Sequence, residues 1–255
     1  MPEAESSPLQ FLARPDGLRI AVRHRPGDPA RPGMMVLHGF RSDMTGEKAQ
    51  HVARWCAEAG LACTRLDYTG HGASDGAFED GTVGAWANDA LLVLDRVTQG
   101  PQLLVGSSMG GWIMLLLALQ RPERVRGLVG IAAAPDFTED LLWASATEAQ
   151  RAELMAAGRI MVPSAYSDEP SVFTRALIED GRDHLVLRRP IPFHGPVRLL
   201  HGQRDPDVPW QTALRLAEHI AGDDVRVLLV KDGDHRLSRP SDLALLTAVL
   251  QELAG

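Results

Sequence analysis

Gly106-Ser107-Ser108-Met109-Gly110 fits the G-x-S-x-G pattern of a nucleophile elbow, with Ser108 at its centre. The apolar run Leu103-Leu104-Val105 precedes it, and Trp112-Ile113-Met114-Leu115-Leu116-Leu117 follows. Such a stretch requires a strand that turns sharply into a helix at the serine. The turn lifts the hydroxyl out of the backbone, and the helix N-terminus behind it favours developing negative charge. Strand and helix then approach so closely that side chains at Gly106 and Gly110 would collide. In a chain with 24 glycines the pattern alone is weak; its strand and helix, and the partners downstream, give it weight.

The remaining elements alternate. Leu18 to His24 reads as a strand closed by the loop Arg25-Pro26-Gly27-Asp28-Pro29, and Met34-Met35-Val36-Leu37 as a short apolar strand. Lys48 to Ala59 reads as a helix ended by Gly60, and Leu61 to Leu66 as a strand. Thr82 to Thr98 is a helix whose apolar positions Val83, Trp86, Ala90, Leu91 and Leu94 recur every three or four residues. After the elbow come a strand over Val125 to Ile131, another over Val197 to Leu200 and a helix from about Trp210 to Ile220. A strand over Val225 to Val230 and a helix from about Ser241 complete the series. Strands alternating with helices imply the α/β class, a doubly wound, mostly parallel sheet whose sites lie at the carboxyl ends of the strands.

One stretch breaks the alternation. Between Pro135 and Pro196 the periodicity predicts two helices, about Glu139 to Met155 and Ser171 to Glu179. An insertion there, at about 135–195, would form a cap over the serine of a single domain spanning 1–255. Its apolar residues Leu141, Leu142, Trp143, Leu154, Met155, Ile160 and Met161 either line an acyl pocket or pack the cap onto the body. Trp143 and Met161, with Trp112 beside the elbow, are the candidate substrate contacts.

Composition narrows the function. A net charge of −7 argues against a nucleic-acid or anionic-membrane partner, and no apolar run approaches the length of a bilayer span. Lys48 and Lys231 are the only lysines, a habit of composition. Met1-Pro2-Glu3-Ala4-Glu5-Ser6-Ser7 is acidic and lacks an apolar core, so it reads as neither a secretory signal nor a transit peptide. Cys56 and Cys63 suit a reduced, buried pair better than a metal site. A cytoplasmic location is the expectation.

A serine hydroxyl is a weak nucleophile unless a base takes its proton during attack. Of nine histidines, His235 follows the strand ending at Val230 through Lys231-Asp232-Gly233-Asp234, where the base belongs. The orienting acid should follow the preceding strand, and Asp205, three residues before Val208-Pro209, is the candidate. Asp207, which suits the loop or the next helix start, and Asp234, adjacent to the base, are its rivals. The oxyanion formed by attack needs preorganised backbone N–H groups. Met109, directly after the serine, supplies one; Phe40 in His38-Gly39-Phe40, after the strand ending at Leu37, supplies the other. His38 supports that loop. Asp67-Tyr68-Thr69-Gly70-His71-Gly72-Ala73-Ser74-Asp75-Gly76 is glycine-rich but has no G-K-[ST], so it reads as a structural loop flooring the site and not as a phosphate cradle.

The chain from about Pro32 onward resembles the serine alpha/beta-hydrolase superfamily, and within it a branch of mitochondrial palmitoyl-protein thioesterases also described as acyl-glucuronide esterases. The resemblance rests on Leu66-Asp67-Tyr68 with Gly70, Gly72 and Ser74-Asp75-Gly76, and on the elbow with Gly111-Trp112. It rests also on Pro163-Ser164 with Tyr166-Ser167, on Leu199-Leu200-His201-Gly202 with Asp205 and Val208-Pro209-Trp210, and on Asp234-His235-Arg236. It implies the alpha/beta-hydrolase fold with a helical cap, the triad Ser108, Asp205 and His235, and neither cofactor nor metal. The expected activity is hydrolysis of carboxylic esters or thioesters through an acyl-enzyme, on a small-molecule or acylated-protein substrate, with long-chain S-acyl groups as the sharper reading. Short-chain esters and acyl glucuronides, the latter met by Arg41, Arg159 or Arg182, are the alternatives. A hydrolase fold used for binding without turnover, or for lyase or peroxidase chemistry, is the rival class. The sequence does not give the oligomeric state.

Overall fold

A computed structural model describes residues 7–162 and 170–255. The acidic segment 1–6, and the positions Pro163-Ser164 and Tyr166-Ser167 quoted above, lie outside the described residues. Eight strands form one sheet: β1 (Leu9–Ala13), β2 (Arg19–Arg25), β3 (Gly33–Leu37), β4 (Cys63–Leu66), β5 (Gln102–Ser107), β6 (Val125–Ile131), β9 (Val197–Gly202) and β10 (Val225–Val230). Their order across the sheet is β1-β2-β4-β3-β5-β6-β9-β10. From β4 to β10 every neighbouring pair is parallel, while β1 and β2 form an antiparallel margin.

Alternation along the central strands sends successive side chains to opposite faces. Met34, Val36, Leu103, Val105, Val129 and Ile131 pack with α1 (Glu47–Glu58) and α7 (Pro240–Ala254) on one face. Met35, Leu37, Leu104, Leu128 and Leu199 pack on the other with α2 (Val83–Arg96), α3 (Met109–Gln120) and α6 (Gln211–His219). In α3, residues Met109 to Ala118 are all buried, because the helix sits between the sheet and α2 and has no solvent face.

Between β6 and β9 the single long helix expected from 139 to 155 is two pieces. A wide π-type turn covers Thr138–Trp143, and α4 (Glu148–Ala157) begins anew at Thr147, whose hydroxyl accepts the Gln150 amide in a capping box. The helix expected from Ser171 starts later, as α5 (Arg175–Asp183), because Ser171–Thr174 is spent on β8, paired antiparallel with β7 (Arg159–Val162). Asp136 clasps the two ends of this segment. Its carboxylate is fully buried and accepts the Val186 and Leu187 amides at 2.8 and 2.9 Å, with the Arg188 guanidinium at 3.2 Å.

The loop after β4 packs against the loop after β3. The Asp67 carboxylate accepts the amides of Met44 and Ala73, and a Cβ on Gly72 would stand 2.1 Å from it. His71 rests edge-on to Phe78 and Trp86, and its ring lies 5.1 Å from that of His38. Burial pushes His38 down to about 3, helped by His71, and pushes His71 down to about 4. His38 Nδ1–H donates to the Gly39 carbonyl at 2.9 Å and so stiffens the turn, the supporting part expected of it.

Two outcomes are expected. Asp136→Ala leaves two buried amides without an acceptor and should lower stability by about 2–3 kcal/mol, read from the denaturant midpoint, with Asp136→Asn losing less. The second concerns acid. An imidazole whose folded pKa lies below its unfolded value of about 6.5 binds its proton first in the unfolded chain. Stability therefore rises with pH between the two values and is lost on acidification from about 6.5 toward 4. Each such histidine contributes a slope of about 1.4 kcal/mol per pH unit inside its window. His71→Asn should make the dependence of unfolding free energy on pH between 6 and 5 shallower by roughly that amount; an unchanged slope would contradict a neutral, buried His71.

Candidate active site

β5 runs into α3 at Ser108, whose backbone takes φ 53° and ψ −121°, a conformation an L-residue adopts only when its surroundings enforce it. The surroundings do so through three hydrogen bonds. Ser108 N–H donates to the Ile131 carbonyl at 3.0 Å, and the Ser108 carbonyl accepts the amides of Gly111 and Ala134 at 2.9 and 3.0 Å. The glycines permit the close approach: a Cβ on Gly106 would stand 2.4 Å from the Gly110 carbonyl oxygen, and one on Gly110 2.1 Å from that of Leu37. Gly39 lies against the serine as well, its missing Cβ 3.2 Å from Ser108 Cβ.

The structure brings Ser108, Asp205 and His235 together. His235 Nδ1–H donates to Asp205 Oδ2 at 2.8 Å, and His235 Nε2 lies 3.1 Å from Ser108 Oγ. Because a carboxylate only accepts, Nδ1 carries the proton and Nε2 is free to take the one on the serine. The Asp205 side chain is fully buried. Burial alone would raise its pKa, but hydrogen bonds from His201 and His235 and from the Val208 amide overcome that and hold it well below the carboxylate range. Oδ1 accepts the amides of Asp207 and Val208, both at 2.9 Å. The rivals are placed otherwise: Asp207 is exposed, and the Asp234 carboxylate closes its own turn by accepting the amides of Arg236 and Leu237.

That turn is anchored from α1. Lys48 Nζ donates to the Arg236 carbonyl at 2.5 Å, and burial, followed by repulsion from Arg236, pushes the lysine down to about 8. Met109 is the first residue of α3, where a backbone N–H has no carbonyl one turn back in the helix. Phe40 follows Gly39, and its ring stacks on Phe173 at 5.2 Å and meets Phe78, Trp86 and Phe137 edge-on.

The expected substrate contacts divide. Trp143 lines a cavity of about 130 Å³ together with Leu142, Leu154, Ile160, Val162, Phe173 and Ile178. Met161 does not: in β7, Ile160 and Val162 face inward, and the intervening Met161 points to solvent, 69% exposed. Trp112 is also corrected. It is fully buried, its indole N–H donates to the His184 carbonyl at 3.0 Å, and its ring meets Phe137 edge-on, so it joins α3 to α5 instead of lining the cavity. Met155 is exposed and Leu141 packs on the core. Phe173 and His201 were missed as site residues. No periodicity marks them, and each is identified by what it touches.

Asp205, Asp207 and His235 offer ligand atoms within 4.8 Å of one another, as a metal site would. Asp205 and both nitrogens of His235 are engaged with each other, with His201 and with Ser108, which leaves this group suited to moving a proton. Among the described residues no helix is long and apolar enough to cross a membrane.

Residues 28–191 match the family described as serine aminopeptidase, S33. The chain is 41% identical over 250 residues to the mouse mitochondrial palmitoyl-protein thioesterase ABHD10, covering 98% of this chain and 83% of the mouse protein. Among solved structures, one from Agrobacterium vitis S4, described only as a hydrolase, superposes with a TM-score of 0.92 at 45% identity, covering 97% of this chain and all of that one. Mouse alpha/beta hydrolase domain-containing protein 10 superposes at 0.90 and 40% identity, covering 96% and 98% of the two chains. These relatives overturn the cytoplasmic expectation: the mouse protein, matched along nearly the whole chain, is named as mitochondrial. The chain belongs to the serine aminopeptidase S33 family, has the alpha/beta-hydrolase fold, and is a hydrolase.

Proposed function

We propose that this hydrolase cleaves thioesters and carboxylic esters of long acyl chains, with Ser108 as nucleophile, His235 as base and Asp205 as its orienting acid. The observation that carries the reading is the continuous chain of hydrogen bonds from Asp205 Oδ2 through His235 to Ser108 Oγ, at 2.8 and 3.1 Å. As Ser108 Oγ attacks the acyl carbon, its proton passes to His235 Nε2. Asp205 keeps the imidazole in its Nδ1–H tautomer and stabilises the cation. The oxyanion is met by the backbone N–H groups of Phe40 and Met109, the second at the start of α3 where the helix dipole favours negative charge. Collapse of the adduct breaks the bond to the leaving sulfur or oxygen, which takes the proton from His235. Water, activated by the same imidazole, then releases the acid.

The segment at 135–195 serves as the cap of a single domain. The cavity lined by Leu142, Leu154, Ile160, Val162 and Ile178 supports an acyl site, and Phe173 links it to Phe40 beside the serine. The matched mouse relative is named as a palmitoyl-protein thioesterase, which supports S-acyl groups as the substrate class and a small molecule or an acylated protein as the carrier. The arginines considered for a sugar acid have other partners: Arg159 pairs with Glu79, Arg182 with Glu139, and Arg41 donates to the Pro170 carbonyl.

The test is fluorophosphonate labelling of wild type and Ser108→Ala, followed by p-nitrophenyl esters and acyl thioesters of increasing length. Labelling should vanish in the variant, and kcat should fall on the order of a million-fold. Burial of each methylene contributes about 0.8 kcal/mol, so kcat/KM should climb up to about fourfold per methylene until the site is filled. A rate that declines from acetyl to octanoyl would remove the long-chain reading, and labelling retained by the variant would remove Ser108.

A further inference from the structure

Asp205 Oδ2 is shared by two imidazoles. His201, on β9, places Nε2 3.1 Å from it and 3.0 Å from the Val208 carbonyl oxygen. Both oxygens can only accept, so His201 Nε2 carries a proton. Its Nδ1 is buried and has no hydrogen-bond partner among the described residues; a proton there would be an unsatisfied buried donor. The ring is therefore in the Nε2–H tautomer, fully buried and held in one orientation by the two oxygens.

We infer that His201 is a positioning residue of the catalytic centre, a second imidazole donor that fixes Asp205 and withdraws negative charge from the oxygen serving His235. The inference rests on the triad reading above. With His201 in place, the carboxylate has four donors: His235 Nδ1–H and His201 Nε2–H on Oδ2, and the amides of Asp207 and Val208 on Oδ1. A group so satisfied has no alternative rotamer to visit, and His235 Nδ1 meets a fixed target. The second effect is electrostatic. Part of the charge on Oδ2 is already engaged by His201, so it stabilises the His235 cation less than a carboxylate with only three donors would. Asp207 places a further carboxylate close to this cluster, and Asp234 and Arg236 flank His235 with Lys48 bonded to the Arg236 carbonyl; no change at His201 removes any of them. No periodicity distinguishes His201 from a core residue; its partner is four residues on, across the end of the strand.

The experiment compares wild type, His201→Leu and His201→Gln by the pH profile of kcat/KM on a p-nitrophenyl ester, beside Ser108→Ala. Removing the donor should cut kcat about tenfold with KM little changed. It should also move the acidic limb to higher pH, since the freed carboxylate holds the His235 proton more tightly. Glutamine, whose amide N–H reaches as far as Nε2, should restore both. Loss of stability with the limb unmoved would reduce His201 to a packing residue and overturn the inference. If His201→Leu does not fold, histidine side-chain 15N correlation spectra of wild type, assigned by the signal lost in His201→Gln, decide it: the Nε2–H pattern is expected, and the Nδ1–H pattern overturns it. If Ser108→Ala keeps wild-type activity, the triad reading itself fails, an outcome distinct from an unmoved limb in a Ser108-dependent enzyme.

Discussion

The close seating of α3 against the sheet is the constraint from which the site follows. With Gly106, Gly110 and Gly39 free of side chains, the turn can bring Ser108 to φ 53°, at a strain of about 1–3 kcal/mol for such a conformation. That strain is borne by hydrogen bonds to the end of β6, the loop after it and the first turn of α3: Ile131 takes the Ser108 amide, and Ala134 and Gly111 give theirs to its carbonyl. An alanine at Gly110 would put its methyl carbon 2.1 Å from the Leu37 carbonyl oxygen, which is backbone of β3 and has nowhere to go. β3 pairs in parallel with β5, with Leu37 opposite Gly106. The loop carrying Gly39 and Phe40 then leaves β3 beside the serine as a consequence of strand order.

Around this fixed point the polar groups are arranged by burial as much as by pairing. His38 and His71 are kept neutral because their rings are enclosed by Tyr68, Phe78 and Trp86. Asp205 is buried too, yet it stays ionised because donors surround both of its oxygens. Low dielectric strengthens those bonds and would penalise any one left unmade. The difference lies in the partners offered to the charged form: Asp205 has four donors, two of them amides of the loop after β9, whereas His38 and His71 each meet a single carbonyl acceptor.

Much of this was legible in the sequence where one element decides it. The elbow glycines, the order of strands and helices, and the positions of Ser108, Asp205 and His235 after their strands all follow from local patterns. What escaped depends on contacts between distant segments. β1 was not read because it is an exposed margin strand, with Leu9 and Phe11 in solvent and no clean alternation. β8 falls where the periodicity predicts the first turn of a helix; the helix instead begins after Thr174, whose hydroxyl accepts the Leu177 amide. The tryptophan after the elbow looked like a ligand contact because it neighbours Ser108 in sequence. On a helix buried on all sides, its ring is instead taken up by Phe137 and the His184 carbonyl.

Phe40 joins the segment that carries β8 to the loop beside Ser108. Its amide is the proposed oxyanion donor, while its ring is held by Phe78 and Trp86 from the body and stacked at 9° on Phe173 from β8. Phe173 in turn walls the apolar cavity. With its ring packed on four sides, Phe40 has little freedom about χ1, so the seating of β8 is coupled to the position of the Phe40 backbone. A substrate chain that packs against Phe173 therefore presses on the element that orients the donor. Binding energy gained far from the scissile bond has a physical route to the transition state through that stacked pair, which is the condition for acyl length to act on kcat as well as on KM.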